Sequence, residues 1–187
     1  DNAGGDDSGA RFQELFPEGE LIRSDRNLGY AGGHNLLLKR TLELSPSFVV
    51  VMNTDVTLQD NFLKGLVDRM NFFPGVDACG PLILEGNSYG TPVKVQNYRL
   101  FMDFPRARKQ SPDAGQELQS PDELPASAAV DYLSGVALMF RTSVLQETGL
   151  WDEQLFLYGE ERDYFYRFAR AGHRAMVTRY AVCHHLN

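Results

Sequence analysis

The run Phe48-Val49-Val50-Val51-Met52 stops abruptly on Asn53-Thr54-Asp55. An unbroken apolar run of this length, rich in valine, reads as a buried strand. Beyond it, Asp60 has the character of a helix N-cap. Phe62, Leu63, Leu66, Val67 and Met70 then keep helical spacing until Pro74. Strand, helix and strand in alternation predict an α/β sheet with parallel strands. In such a sheet ligands bind beyond the carboxyl ends of the strands, where Asp55 stands. A carboxylate there can hold a divalent cation that neutralises a diphosphate. The plainer alternative is that Asp55 begins a turn or caps a helix.

The rest of the chain fits one α/β unit. "ARFQELF" predicts a short helix and "ELIRS" a short strand. "NLGYAGGHN" predicts a glycine-rich loop, followed by a helix from Asn35 to Leu44. From Ser111 to Ala128 the chain is rich in Pro, Ser, Asp and Glu, which predicts a long exposed loop. "VDYLSGVALMF" predicts a buried strand, "EERDYFYRFARAG" a helix ending at Gly172, and "RAMVT" and "YAVCHH" short strands. At 187 residues the chain is expected to form a single domain, 1–187. A formal charge of −7 argues against nucleic acid as a partner. No apolar run approaches the roughly 18 residues of a membrane span. Cys79 and Cys183 form no metal or disulfide pattern, so a reducing compartment is the default. Both ends are abrupt, and the chain reads as trimmed.

Four segments, in order, carry a resemblance. They are "DNAGGDDSG", "NLGYAGGHN", "VVVMNTDV" and the long block "VDYLSGVALMFRTSVLQETGLWDEQLFLYGEERDYFYRFARAGHRAMV". Together they resemble the family-2 glycosyltransferases of the GT-A fold, in the rhamnosyltransferase-like branch. That resemblance implies a Rossmann-like, mostly parallel sheet flanked by helices. The family's first strand-helix unit has no counterpart here. It also implies inverting transfer of a sugar from a UDP- or dTDP-sugar to a glycan or lipid-linked acceptor. The setting implied is polysaccharide biosynthesis in the cytoplasm or at the cytoplasmic face of the membrane, with peripheral membrane association left open. Oligomeric state is not implied.

The resemblance also carries roles, residue by residue. Asp1 matches an acid beside the nucleobase. Asn27, Gly29 and Gly32 match the loop that approaches the donor, although an ordinary strand-to-helix turn needs the same residues. His34 stands where many relatives carry Arg, and a neutral imidazole is a weaker partner for an anion. Asn35 reads as a helix cap. Asn53 replaces an Asp and can still bond a ribose hydroxyl. Asp55 matches the metal-binding acid, and Mg²⁺ or Mn²⁺ is implied. Of the terminal pair, His185 is the better match to a metal-completing His. Adjacent strand residues face opposite ways, so one of His184 and His185 is expected to reach the site. Ser134 and Gly135 match a serine-glycine pair beside the donor sugar. Trp151 is expected in the core, and Phe156 and Tyr158 as pocket walls or core.

"YGEERDY" matches the family's acid-rich helix start. Glu160 and Asp163 align with acids of that motif, and Glu161 with the acid that usually serves as base. Glu161 is one methylene longer than the usual Asp. A solvated helix start favoured by the helix dipole would show the same acids. Two other functions share this sequence pattern. One is a non-catalytic sugar-nucleotide-binding domain, degenerate at His34 and Glu161. The other is a nucleotidyltransferase of the same architecture.

Overall fold

The computed structural model describes residues 1–86, 92–103, 106 and 108–186. The helices are α1 (Ser8–Leu15), α2 (Gly29–Leu44), α3 (Phe62–Phe72), α4 (Thr142–Thr148) and α5 (Glu160–Arg170). The strands are β1 (Phe48–Met52), β2 (Val56–Leu58), β3 (Ala78–Glu85), β4 (Val93–Asn97) and β5 (Phe101–Asp103). They continue with β6 (Arg108–Gln110), β7 (Glu117–Leu118), β8 (Ser127–Val130), β9 (Ala137–Arg141) and β10 (Ala175–His185). The main sheet runs β1-β9-β3-β10-β2, with β8 paired to β10, β4 to β3 and β7 to β4. Among the described residues, no helix is long and apolar enough to cross a membrane.

The expectation of a mostly parallel sheet needs correction. β10 pairs with β3 in parallel, and every other ladder among the described residues is antiparallel. The reason lies in β9. It lies antiparallel between β1 and β3. β1 and β3 therefore do run the same way, as the strand–helix–strand pattern predicts. A later strand is threaded between them, and no local periodicity records that.

Period-2 alternation then divides the core into two layers. Leu138 and Phe140 of β9 face one side with Trp151, Tyr164, Phe165 and Phe168. Ala137 and Met139 face the other, with Phe62, Leu66 and Met70 of α3. Trp151 is thus core, as expected. Helices α2, α4 and α5 carry one layer and α3 the other.

Several local expectations change. "ELIRS" forms no strand. Among the described residues its backbone pairs with Asp1 alone: the Asp1 ammonium donates to the Ile22 carbonyl at 2.8 Å and the Asp1 carbonyl accepts from Ser24 N–H at 2.9 Å, too brief a contact for a ladder. "VDYLSGVALMF" is not one strand: Val130 ends β8, Ala137 opens β9, and the chain between them passes through buried Tyr132 and Leu133. "RAMVT" and "YAVCHH" merge into one strand, β10, with a register shift between Thr178 and Val182. The 111–128 stretch contains β7, a 3₁₀ turn at Pro121–Glu123 capped by Ser120 and Glu123, and the start of β8. Within it Asp113 is fully buried.

Candidate active site

β1 ends where the cleft begins. A cleft of about 560 Å³ is lined by Asp1, Asn27, Gly29, His34, Asn53 and Asp55, six of the residues expected at the donor. Asn2, Tyr30, Gly33 and Leu37 line it as well, and Phe156 and Leu157 form its far wall. Asn53 N–H donates to the Val136 carbonyl at 2.9 Å, so the end of β1 lies beside the Ser134-Gly135 turn.

The glycine-rich segment is not a loop. α2 begins at Gly29, six residues before the expected start, so Asn35 is not its cap. Side chains make the early start possible. Asn27 Oδ1 accepts from Gly29 N–H at 2.9 Å, and Asn2 Oδ1 accepts from Leu28 N–H at 2.9 Å. Asn2 Nδ2 donates to the Gly29 carbonyl at 3.0 Å. These bonds satisfy backbone groups that a helix entry leaves open. Gly29 has φ +71°, and a Cβ there would sit 2.2 Å from the Phe156 carbonyl oxygen. A side chain is excluded by both conformation and space.

Asn35 sits inside α2, 3% exposed. Its amide donates to the Trp151 carbonyl at 2.9 Å and accepts from Trp151 N–H at 3.1 Å. It thereby ties the segment leading to α5 onto α2. His34 Nδ1 lies 3.0 Å from the Tyr30 carbonyl, and its ring packs 4.1 Å from the Tyr30 ring. Burial pushes the His34 pKa down, against the Tyr30 and Met52 carbonyls that favour the charged form. Burial thus favours the neutral ring at this place in the cleft wall.

Asp55 and His185 are brought together by register. His185 pairs with Val56 across the β10–β2 ladder. Its Nε2 lies 3.3 Å from Asp55 Oδ2, and its Nδ1 lies 3.0 Å from Gln96 Oε1. If Nδ1 carries the proton and donates it to Gln96, Nε2 is left with its lone pair toward Asp55. His184 points the other way, 3.0 Å from Gln59 Nε2. Among the described residues, no cluster of three or more His, Cys, Asp or Glu side chains could hold a metal. A carboxylate and an imidazole fit Mg²⁺ or Mn²⁺ only as a partial set, leaving the other positions to diphosphate oxygens and water. The residues present fit that arrangement.

The acids of α5 separate. Tyr30 Oη donates to the Gly135 carbonyl at 2.6 Å. A Cβ at Gly135 would lie 3.4 Å from Glu161 Cγ, so Glu161 packs against this turn. Glu160 is 3% exposed, and its Oε2 has no hydrogen-bond partner among the described residues. Burial, with a smaller push from Glu161, raises its pKa. Asp163 instead accepts from Arg167 Nε at 2.9 Å. Arg167 in turn donates to the Thr148 and Leu150 carbonyls. The structure thus places Asp163 in a strut between α4 and α5, apart from Glu161. Ser134 Oγ turns inward, toward Val136 N–H at 3.4 Å.

Sequence reasoning did not single out Asn2 or Tyr30 and undervalued Asn35. All three stand within the quoted motifs, and that was the available signal.

Residues 11–187 match the family described as "Glycosyltransferase like family 2". The chain belongs to that family. It is 26% identical over 202 residues to an N-acetylglucosaminyl-diphospho-decaprenol L-rhamnosyltransferase of Mycobacterium tuberculosis, covering 99% of this chain and 64% of the relative. The chain therefore spans just under two-thirds of that relative's length. The fold is similar to that of GalNAc-T7 with UDP, GalNAc and Mn²⁺, at TM-score 0.70, 13% identity, and 96% and 35% coverage of the two chains. It is also similar to the mannosyltransferase PcManGT of Pyrobaculum calidifontis with GDP-Man and Mn²⁺, at TM-score 0.64, 18% identity, and 98% and 45% coverage. The α/β architecture of this family-2 chain is the GT-A fold.

Proposed function

We propose that this chain is the catalytic domain of an inverting glycosyltransferase. It moves a sugar, rhamnosyl or another hexosyl, from a UDP- or dTDP-sugar to a glycan or lipid-linked acceptor. A polyprenyl-diphosphate-linked N-acetylglucosamine is the acceptor class that the mycobacterial relative's name points to. The observation that carries the reading is the pairing of cleft-lining Asp55 with buried His185, with Glu161 packed against the Gly135 turn.

Asn27 and Asn53 hold the nucleotide against the cleft-lining residues of α2, and Asp1 stands beside its base. Asp55 and His185 hold the divalent ion, which when bound supplies positive charge to the diphosphate. The acceptor oxygen attacks the anomeric carbon as its proton passes to a Glu161 carboxylate oxygen. A carbon–oxygen bond forms on one face. The bond to the diphosphate breaks on the other, and the nucleotide leaves with the electron pair. Buried Glu160 shapes the wall behind Glu161, and the Asp163–Arg167 pair holds the helix that carries both. Any work at a membrane surface is peripheral to this chemistry.

The test is a titration of the full-length protein with UDP-, dTDP- and GDP-sugars with and without Mn²⁺, beside a transfer assay on polyprenyl-linked N-acetylglucosamine. Asp55→Ala is expected to abolish the metal-dependent part of donor binding. Glu161→Gln is expected to keep donor binding and lower turnover by roughly 10² or more. Donor binding by the parent without any turnover would favour a binding-only domain. Equal donor affinity in parent and Asp55→Ala, with and without Mn²⁺, would remove Asp55 from the site.

A further inference from the structure

Tyr30 reaches both halves of the site. Its residue lines the cleft. Its backbone N–H donates to the Phe156 carbonyl at 2.8 Å, and its hydroxyl donates to the Gly135 carbonyl at 2.6 Å. The ring is held between His34, at 4.1 Å, and the edge of Trp151, at 6.4 Å. Trp151 is itself fixed to α2 by the two Asn35 bonds. One residue thus touches the cleft, the wall at Phe156 and the turn at Gly135.

Glu161 meets the same turn. The point where a Gly135 Cβ would stand is 2.7 Å from Tyr30 Oη and 3.4 Å from Glu161 Cγ. The hydroxyl and the glutamate stem therefore flank a single backbone position that only glycine leaves open. Burial, and then the charges of Glu161 and Glu160, push the tyrosine's pKa far up, so its hydroxyl stays a donor to the carbonyl. A glutamate at a helix start has several rotamers open to it, and this packing restricts them. Reach matters here, because a shift of about 1 Å in a reacting group can cost up to 10²-fold in rate.

We propose that Tyr30 is a positioning residue for Glu161. By holding the Gly135 carbonyl it fixes the surface against which the glutamate stem rests, and so sets the reach of the carboxylate toward the acceptor. This rests on Glu161 being the base. The tyrosine touches neither the acceptor nor the transferred proton. It acts through the turn.

Tyr30→Phe removes one oxygen and keeps the ring and the backbone bond to Phe156. In the full-length protein, kcat should fall about tenfold while KM for the donor stays within about twofold. In a Glu161→Gln background the same change should cost nothing further, since the two act as a unit. An equal loss in both backgrounds overturns the proposal, as does a raised donor KM with unchanged kcat. Carbon-13 NMR of carboxyl-labelled glutamate reads the contact without turnover. The Glu161 resonance should move in Tyr30→Phe and the Glu153 resonance should stay. An unmoved Glu161 signal overturns the proposal even if the enzyme is active. If no donor is turned over, the functional reading fails, and the NMR result still decides the role of Tyr30.

Discussion

Two stretches of this chain have the composition of loops, 27–35 and 111–128, and the structure uses them in different ways. The first is glycine-rich and becomes the opening turns of α2. Its side chains reach Gly135, Trp151 and Glu153, and its backbone lines the cleft. The second is polar and stays largely on the surface. It is anchored inward by Leu118 and Leu124, which join the core, and by one buried acid, Asp113, which accepts from Arg99 N–H, Nε and Nη2. No residue of that second stretch lines the described cleft. Both are held by side-chain contacts, but only the first is ordered against the cleft. Loop-like composition therefore says little about which segment builds a site. What matters is which elements its side chains meet.

The largest expected effect would sharpen that contrast at Gly29. Gly29→Ala must relieve both a φ of +71° and a Cβ 2.2 Å from a backbone oxygen. Backbone cannot yield as a flexible side chain can. The loss is expected at about 4 kcal/mol or more, together with loss of donor binding. Urea denaturation beside a donor titration measures both, and retained affinity would show that the α2 entry is not needed by the donor.

Asp113→Ala should produce the opposite pattern. Burial alone would raise this carboxyl; the Arg99 hydrogen bonds and charge outweigh burial and hold it below the usual carboxylate range. Its stabilising share is thus present above the ordinary value of 3.8 and is lost as pH falls through the lower folded value. Removing it should cost about 2–3 kcal/mol, at the low end for a buried pair because Arg99 is partly exposed. Turnover per folded molecule should be unchanged. A fall in donor affinity at equal folded fraction would break the comparison, by tying 111–128 to the cleft.

The smallest effect is a slope. The folded-state pKa of His34 lies below its ordinary 6.5, so the folded protein resists protonating it. Stability from this group is complete above 6.5 and falls as pH drops through the folded value. Glu160 has the opposite sign, since burial raises its pKa above 4.5 and stability is lost as pH rises through the raised value. Comparing urea midpoints of parent and His34→Gln across this range isolates the histidine. The variant's profile should be flatter on the acid side, and parallel profiles would show that the cleft wall around His34 does not resist its protonation.

Part of this arrangement was legible in the residues alone. The buried strand before Asn53-Thr54-Asp55, the helical spacing of α3 and α5 and the opposite facing of His184 and His185 follow from period and spacing, and the family was legible through the resemblance of its motifs. The division of labour on α5 was half legible. At about 100° per residue, Glu161 and Asp163 stand about 200° apart and cannot serve one site equally. Which of them faces the Gly135 turn depends on where Tyr30 and Arg167 lie, 131 and 4 positions along the chain from the acids they help to place. The insertion of β9 between β1 and β3, the meeting of Asp55 with His185 and the early start of α2 were decided by tertiary structure. Each rests on partners distant in sequence, and a strand or helix end carries no local mark of the backbone that will satisfy it.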